Sequence, residues 1–189
     1  MPEFFPREII TDSDPLLRQK SVDVSLPLSK EDEETLLYML HHLEVSQDDE
    51  LSEKYGLRPG VGLAAPQLGI LKKMIAIRLP YHQDDGTTKI VSYALINPKI
   101  ISHSIKKAYL EGGEGCLSVP DDIVGYVYRY ANISVKAYDY FTKQERIFKF
   151  RGYEAIVAQH EIDHLQGILY YDYIDENNPF KKVNGAIAI

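Results

Sequence analysis

The chain is poor in features that mark several common protein classes. It has one cysteine in 189 residues, which excludes an internal disulfide and fits a reducing compartment. Its most basic runs, Lys106-Lys107 and Lys181-Lys182, are only pairs, and the formal net charge is −7. No nucleic-acid surface is therefore expected. No apolar run approaches the roughly 20 residues that span a bilayer, so no membrane segment is expected. Met1-Pro2-Glu3-Phe4-Phe5 lacks a cationic stretch followed by an apolar one, so a secretory signal is not expected and the location reads as cytoplasmic. Repeats and low-complexity linkers are also missing. What is present, 44% hydrophobic and 26% charged residues, is the composition of an ordinary globular domain. The length suits a single domain over 1–189, with 46–58 as a charged surface insertion and 176–189 as a polar C-terminal tail.

The most informative stretch is Gln159-His160-Glu161-Ile162-Asp163-His164-Leu165-Gln166-Gly167. It contains His-Glu-x-x-His, and on a helix two histidines four apart lie on one face, where they can grip one metal ion. Glu161 points roughly 100° round from His160, within reach of a water on that metal. Residues from Tyr153 to Leu169 include no proline, and no glycine before Gly167. The composition predicts a helix over that span. Ala155, Ala158, Ile162, Leu165 and Leu169 form an apolar stripe away from the histidines, and Ile156, Val157 and Ile168 flank the histidine face. Only Gln159, Asp163 and Gln166 make a polar arc. A helix so nearly apolar all round is a buried one. Gly167 falls almost under the histidines, where the lack of a side chain permits close approach of other backbone.

The rest of the chain supplies a frame. Asp14 with Pro15 opens a short helix. Ser29 and Asp32 resemble a capping arrangement, and Leu36, Leu37, Leu40 and Leu43, with Met39, carry helical periodicity to about Val45. The 46–58 stretch is expected to be an exposed loop with a short helix. Gly60-Val61-Gly62-Leu63-Ala64-Ala65-Pro66-Gln67 is small and apolar; it matches neither a dinucleotide fingerprint nor a phosphate loop. Gln67 is its one polar side chain, an amide able to donate to an oxygen. Met74–Ile77 and Ile90–Ile96 flank Asp84-Asp85-Gly86 and read as a hairpin. Ile123–Tyr130, Ile133–Ala137 and Arg146–Phe150 read as strands. The expected fold class is α+β, antiparallel strands wrapped around one central buried helix.

A catalytic site of this kind has three protein ligands and an open position. A histidine six residues after His164 would suit one protease pattern, but Tyr170 stands there; a downstream glutamate would suit another, and only Glu176 is available, in an Asn/Pro-rich tail. Cys116 lies upstream in a glycine-flanked turn. As the sole cysteine it is either an idle buried thiol or, with the only i, i+4 histidine pair, part of a Cys-His-His set. A zincin-type endopeptidase and a non-catalytic metal or redox sensor remain alternatives at this point.

Three segments, Gly60–Gln67, Glu114-Gly115-Cys116-Leu117-Ser118 and Gln159–Leu165, resemble in order the three signature motifs of the peptide deformylase family. The 46–58 excursion and short tail resemble its type II, Gram-positive-like subclass. The resemblance implies a metal-dependent hydrolase that removes the N-formyl group from the N-terminal methionine of new polypeptides. Cys116, His160 and His164 would hold Fe2+, with Zn2+, Ni2+ or Co2+ able to substitute. Water activated on the metal would attack, with Glu161 as general base and then acid. Gln67 and the Leu117 N–H would steady the oxyanion. Gly60, Val61, Gly62 and Gly113 would pair with the peptide backbone, and Ile156 and Val157 would wall the methionine pocket. The expected partners are N-formylmethionyl nascent peptides at the ribosome exit, met by a monomer.

Overall fold

The computed structural model describes residues 4–189; Met1–Glu3, the start of the stretch read for a secretory signal, lie outside the described residues. A turn of 3-10 helix, Pro15–Arg18, opens at Asp14, whose carboxylate accepts from the Leu16 N–H at 2.8 Å. Helix α1, Lys30–Ser46, starts at Ser29, whose hydroxyl oxygen accepts from the Asp32 N–H at 3.1 Å. Helix α2, Asp49–Tyr55, is capped by Asp48, ends at Gly56 in the left-handed region and buries none of its residues. It is the short helix expected in the charged stretch. The strands and the last α-helix are β1 (Gly62–Ala64), β2 (Met74–His82), β3 (Thr88–His103), β4 (Lys107–Tyr109), β5 (Arg129–Tyr130), β6 (Asn132–Asp139), β7 (Gln144–Arg151), α3 (Gly152–His164) and β8 (Ile187–Ala188), with further 3-10 turns at Ala65–Leu68 and Tyr170–Tyr173.

Five strands form one antiparallel sheet in the order β1-β2-β3-β6-β7. A second sheet, β5-β4-β8, pairs β4 with β5 antiparallel and with β8 parallel. The run Met74-Ile75-Ala76-Ile77 shows why β2 lacks an alternating pattern. Met74 and Ala76 pack with Leu36, Met39 and Leu43 of α1. Ile75 and Ile77 pack with Ala155, Ala158 and Ile162 of α3. A strand covered on both faces has no position for a polar side chain. On its other side α3 meets the small sheet, where Ile156 joins Ala108 and Ala131. The fold is α+β, with the histidine-bearing helix between two sheets. Among the described residues no helix is long and apolar enough to cross a membrane.

Three details differ from expectation. Helix α3 stops at His164 rather than Leu169. Gly167, at φ 73°, turns the chain so tightly against the first 3-10 turn that a Cβ there would collide with the Arg18 backbone carbonyl. The expected strand Ile123–Tyr130 is reduced to Arg129–Tyr130. Its first part pairs with the tail instead, the Tyr126 N–H donating to the Pro179 carbonyl at 2.8 Å. Ile123 and Val124, β-branched as a strand would want, are left 41% and 65% exposed. The polar tail in turn supplies β8, and the Ile189 N–H donates to the Tyr109 carbonyl at 2.9 Å.

Gly167→Ala should lower stability by at least about 1–3 kcal/mol, the usual cost of a non-glycine residue held at positive φ. A urea unfolding curve checks this; an unchanged midpoint would show that the Arg18 contact relaxes without cost.

Candidate metal centre and cleft

Cys116 arrives on the turn before Val119, and His160 and His164 arrive from the last turn and a half of α3. One donor atom from each lies within 4.8 Å of the others. The Cys116 Sγ is 3.3 Å from the His164 Nε2. Gln67, on the 3-10 turn Ala65–Leu68 that follows β1, brings its amide to the same sulfur, Nε2 to Sγ being 3.6 Å. That amide is held from both ends: its oxygen accepts from the Ala64 N–H at 2.8 Å, and its nitrogen donates to the Ser118 Oγ at 3.2 Å.

A buried ionic network orients His160. Glu114 Oε2 accepts from the His160 Nδ1 at 2.8 Å. Arg129 donates to Glu114 through Nε at 2.5 Å and Nη2 at 2.8 Å, and to Asp163 through Nη1 at 2.8 Å. The side chains of Arg129 and Glu114 are each 3% exposed. An ionised carboxylate only accepts, so Glu114 fixes the proton of His160 on Nδ1 and turns the Nε2 lone pair toward the sulfur. Burial works against charge on Glu114, but the hydrogen bonds from His160 and Arg129 outweigh it and hold the carboxyl below its ordinary value. Burial also opposes charge on His160, where the hydrogen bonds to Cys116 and Glu114 prevail and raise it to about 10. His164 is pushed the other way, well below its ordinary value, by burial and by the charge of His160. The site thus favours a positive charge.

Glu161 lies at the same cleft, with Oε2 buried and without a hydrogen-bond partner. Burial pushes its carboxyl up to about 7, with the charges of His160 and Arg129 pulling against it. Gly62 packs on this carboxylate so closely that a Cβ would overlap it. The cleft measures about 330 Å³, and Val61, Leu110, Leu117, Ile156 and Val157 give it an apolar wall. Gly60, Gly62 and Gly113 line it as well.

A sulfur and two imidazoles, with one imidazole locked by a carboxylate, fit a divalent transition metal. The unpartnered Glu161 oxygen beside them fits a water-handling role. The site residues expected from the sequence all line this one cleft except His164, which stands against the Cys116 sulfur. Glu114, Arg129 and Asp163 were not assigned roles from sequence. Glu114 stood inside a quoted motif, and the rule that a metal-binding histidine gives its second N–H to a carboxylate would have found it. Arg129 carried only the weaker signal of a cation in an otherwise apolar and aromatic segment. Tyr170, at the position where one protease pattern has a histidine, stacks on His160 with ring centroids 6.0 Å apart.

This chemistry in an α+β frame is that of a metal-dependent hydrolase. Residues 6–180 match the family model for polypeptide deformylase, and the chain belongs to the peptide deformylase family. It is 51% identical over 174 residues to peptide deformylase 2 of Bacillus cereus, covering 92% of each chain. It is 50% identical over 183 residues to the peptide deformylase of Staphylococcus epidermidis, covering 97% of this chain and 98% of that one. Both relatives agree with the Gram-positive-like subclass. Among solved structures it resembles the peptide deformylase of Ehrlichia chaffeensis with a TM-score of 0.72 and 30% identity, over 92% of this chain and 90% of that one.

Glu114→Gln keeps the shape of the second partner and removes its charge. Metal affinity should fall about 10–100-fold, read by competition with a chelator. An unchanged affinity would reduce Glu114 to a packing role.

Proposed function

We propose that this cleft removes the formyl group from N-formylmethionyl peptides, with Glu161 moving the proton and Cys116, His160 and His164 holding a ferrous ion. The carrying observation is the buried Glu161 carboxyl, raised to about 7 and with one oxygen unpartnered, beside three convergent donor atoms. When bound, a divalent ion there supplies Lewis acidity toward water and the formyl carbonyl. Glu161 accepts the proton of the attacking water and returns it to the leaving amine, work suited to a group that titrates near neutrality. As negative charge grows on the formyl oxygen, the Gln67 amide and the Leu117 N–H are the chain's own donors to it. Gln67 is well suited because its contacts with Ala64 and Ser118 hold the amide plane before substrate arrives.

The peptide backbone would lie as an added strand along Val61 and Gly62 and reach Gly113 on the facing side. Ile156 and Val157 would take the methionine side chain. Iron is the native ion in this reading, and zinc, nickel or cobalt can replace it. The protein works as a cytoplasmic monomer on nascent chains near the ribosome exit.

Glu161→Gln should keep its metal and lose about 10²–10⁴ in turnover, measured with formyl-Met-Ala. Substantial residual turnover would remove Glu161 as the proton carrier. The unaltered enzyme should leave unformylated peptides uncut, and endopeptidase cleavage would favour the zincin alternative. Metal analysis of anaerobically purified protein should find iron; zinc throughout would overturn the ferrous assignment.

A further inference from the structure

The wall that separates the cleft from the rest of the molecule is thin. Pro59, Gly60 and Val61 line the catalytic cleft on one side and, on the other, a second cavity of about 670 Å³ beneath α1 and α2. A peptide strand laid along this wall would press on a segment with open space behind it. What holds the segment is the C-terminal end of α1. The Gln47 Nε2 donates to the Gly60 carbonyl at 2.7 Å and to the Arg78 carbonyl at 2.9 Å. The Gln47 oxygen accepts from the Arg78 guanidinium. The neighbouring Ser46 Oγ, fully buried, accepts from the Gly60 N–H at 3.3 Å. Gly60 is thus gripped by both its N–H and its C=O, and Gln47 ties it to β2 one step beyond the register in which the Arg78 N–H donates to the Val61 carbonyl at 2.8 Å. On the cleft side Gly60 sits against Leu117, whose Cδ1 would be 2.9 Å from a Cβ at position 60.

We propose that Gln47 is a positioning residue for deformylation. Its side-chain amide, helped by Ser46, sets the position of Gly60 and so of the Val61–Gly62 edge that receives the peptide. This inference rests on the strand-pairing reading of substrate binding above. It also revises the part given to Gly60: with both backbone groups engaged by α1, Gly60 anchors the edge, and the pairing itself falls to the residues after it. Gln47 touches no reacting atom, so its loss should appear in binding of extended substrates and leave the chemical step alone. Fixing a binding edge beforehand spares the substrate the cost of ordering it.

The test compares metal-loaded wild type with Gln47→Met, which keeps volume and loses every hydrogen bond of the amide. Asn97→Gly is the matched control. Asn97 makes an equivalent two-bond clamp away from the cleft, accepting from the Val24 N–H at 2.8 Å and donating to the Val24 carbonyl at 2.9 Å, and its φ of 52° suits glycine. Substrates are formylmethionine amide and a formyl-Met tetrapeptide. For Gln47→Met the tetrapeptide KM should rise roughly tenfold, about 1.4 kcal/mol of lost binding. Its kcat and metal content should stay within about twofold, and KM for the amide should move less. Asn97→Gly should leave both KM values unchanged. Ser46→Ala, removing a single contact, should give a smaller KM rise of the same kind and serves if Gln47→Met fails to fold. Equal KM shifts in Gln47→Met and Asn97→Gly, or a parallel loss of kcat and metal in Gln47→Met, would overturn the proposal in favour of a purely structural role. If the wild type itself binds amide and tetrapeptide equally well, the strand-pairing reading falls and this proposal with it. Absence of deformylation by the wild type would instead overturn the function.

Discussion

The hydrogen bond between Glu114 and His160 is the point on which the rest of this structure turns. It lies near the end of a helix covered on both sides by sheet, where the Glu114 side chain is 3% exposed and little water reaches it. A carboxylate there is tolerable only with partners, and it has two, the imidazole and Arg129. Removing one member of such a buried set typically costs about 3–5 kcal/mol because its partner is left uncompensated. Arg129 also answers Asp163, so one guanidinium serves two carboxylates while Glu161 stands close by without an ion pair. The interior is short of positive charge. A divalent ion among Cys116, His160 and His164 would make up that shortage.

Burial that makes the network costly also makes it chemically useful. Glu161 is raised toward neutrality chiefly because it is buried, and a carboxyl in that range is able both to accept and to release a proton at working pH. In water it would be a weaker base, ionised at neutral pH and slow to take a proton. His160 and His164 sit one helical turn apart yet are driven in opposite directions, because only His160 has a carboxylate partner. The pair is therefore asymmetric before any ligand arrives. The orientation of one imidazole is set by Glu114 and that of the other by packing and the adjacent sulfur.

Much of this was legible in the sequence because it depends on local spacing. The i, i+4 histidines, the sole cysteine, the Ser29 and Asp14 caps and the unbroken apolar run of β2 each carry their meaning within a few residues. Helix ends and strand partners were less legible. Nothing between Leu165 and Leu169 forbids helix except Gly167, and its effect depends on the Arg18 backbone, which lies some 150 positions earlier in the chain. Ile123–Tyr130 has the composition of a strand, but a strand exists only where another offers a ladder, and the tail captures this segment first. The roles of Arg129 and Asp163 were hidden for the same reason: their partners are distant in sequence and no spacing rule joins them.

Gly62 shows how shape and chemistry are joined at the cleft. Its missing side chain lets the β1 edge lie directly on the Glu161 carboxylate, so the strand that would receive the peptide and the group that would move the proton are in contact. A displacement of that strand by even a fraction of an ångström would be felt at Glu161, since the contact has no slack. The strand itself is paired with β2, Gly60 ahead of it is held from behind by the end of α1, and the carboxylate is fixed by the helix it belongs to. Rigidity at this site is therefore unevenly distributed: Cys116, His160 and Glu161 are set by a packed core and an ion network, β1 by its ladder with β2, and Gly60 by a few hydrogen bonds from one turn of helix. The charged stretch from 46 to 58, which composition alone marks as surface, begins with the residues that provide that lock.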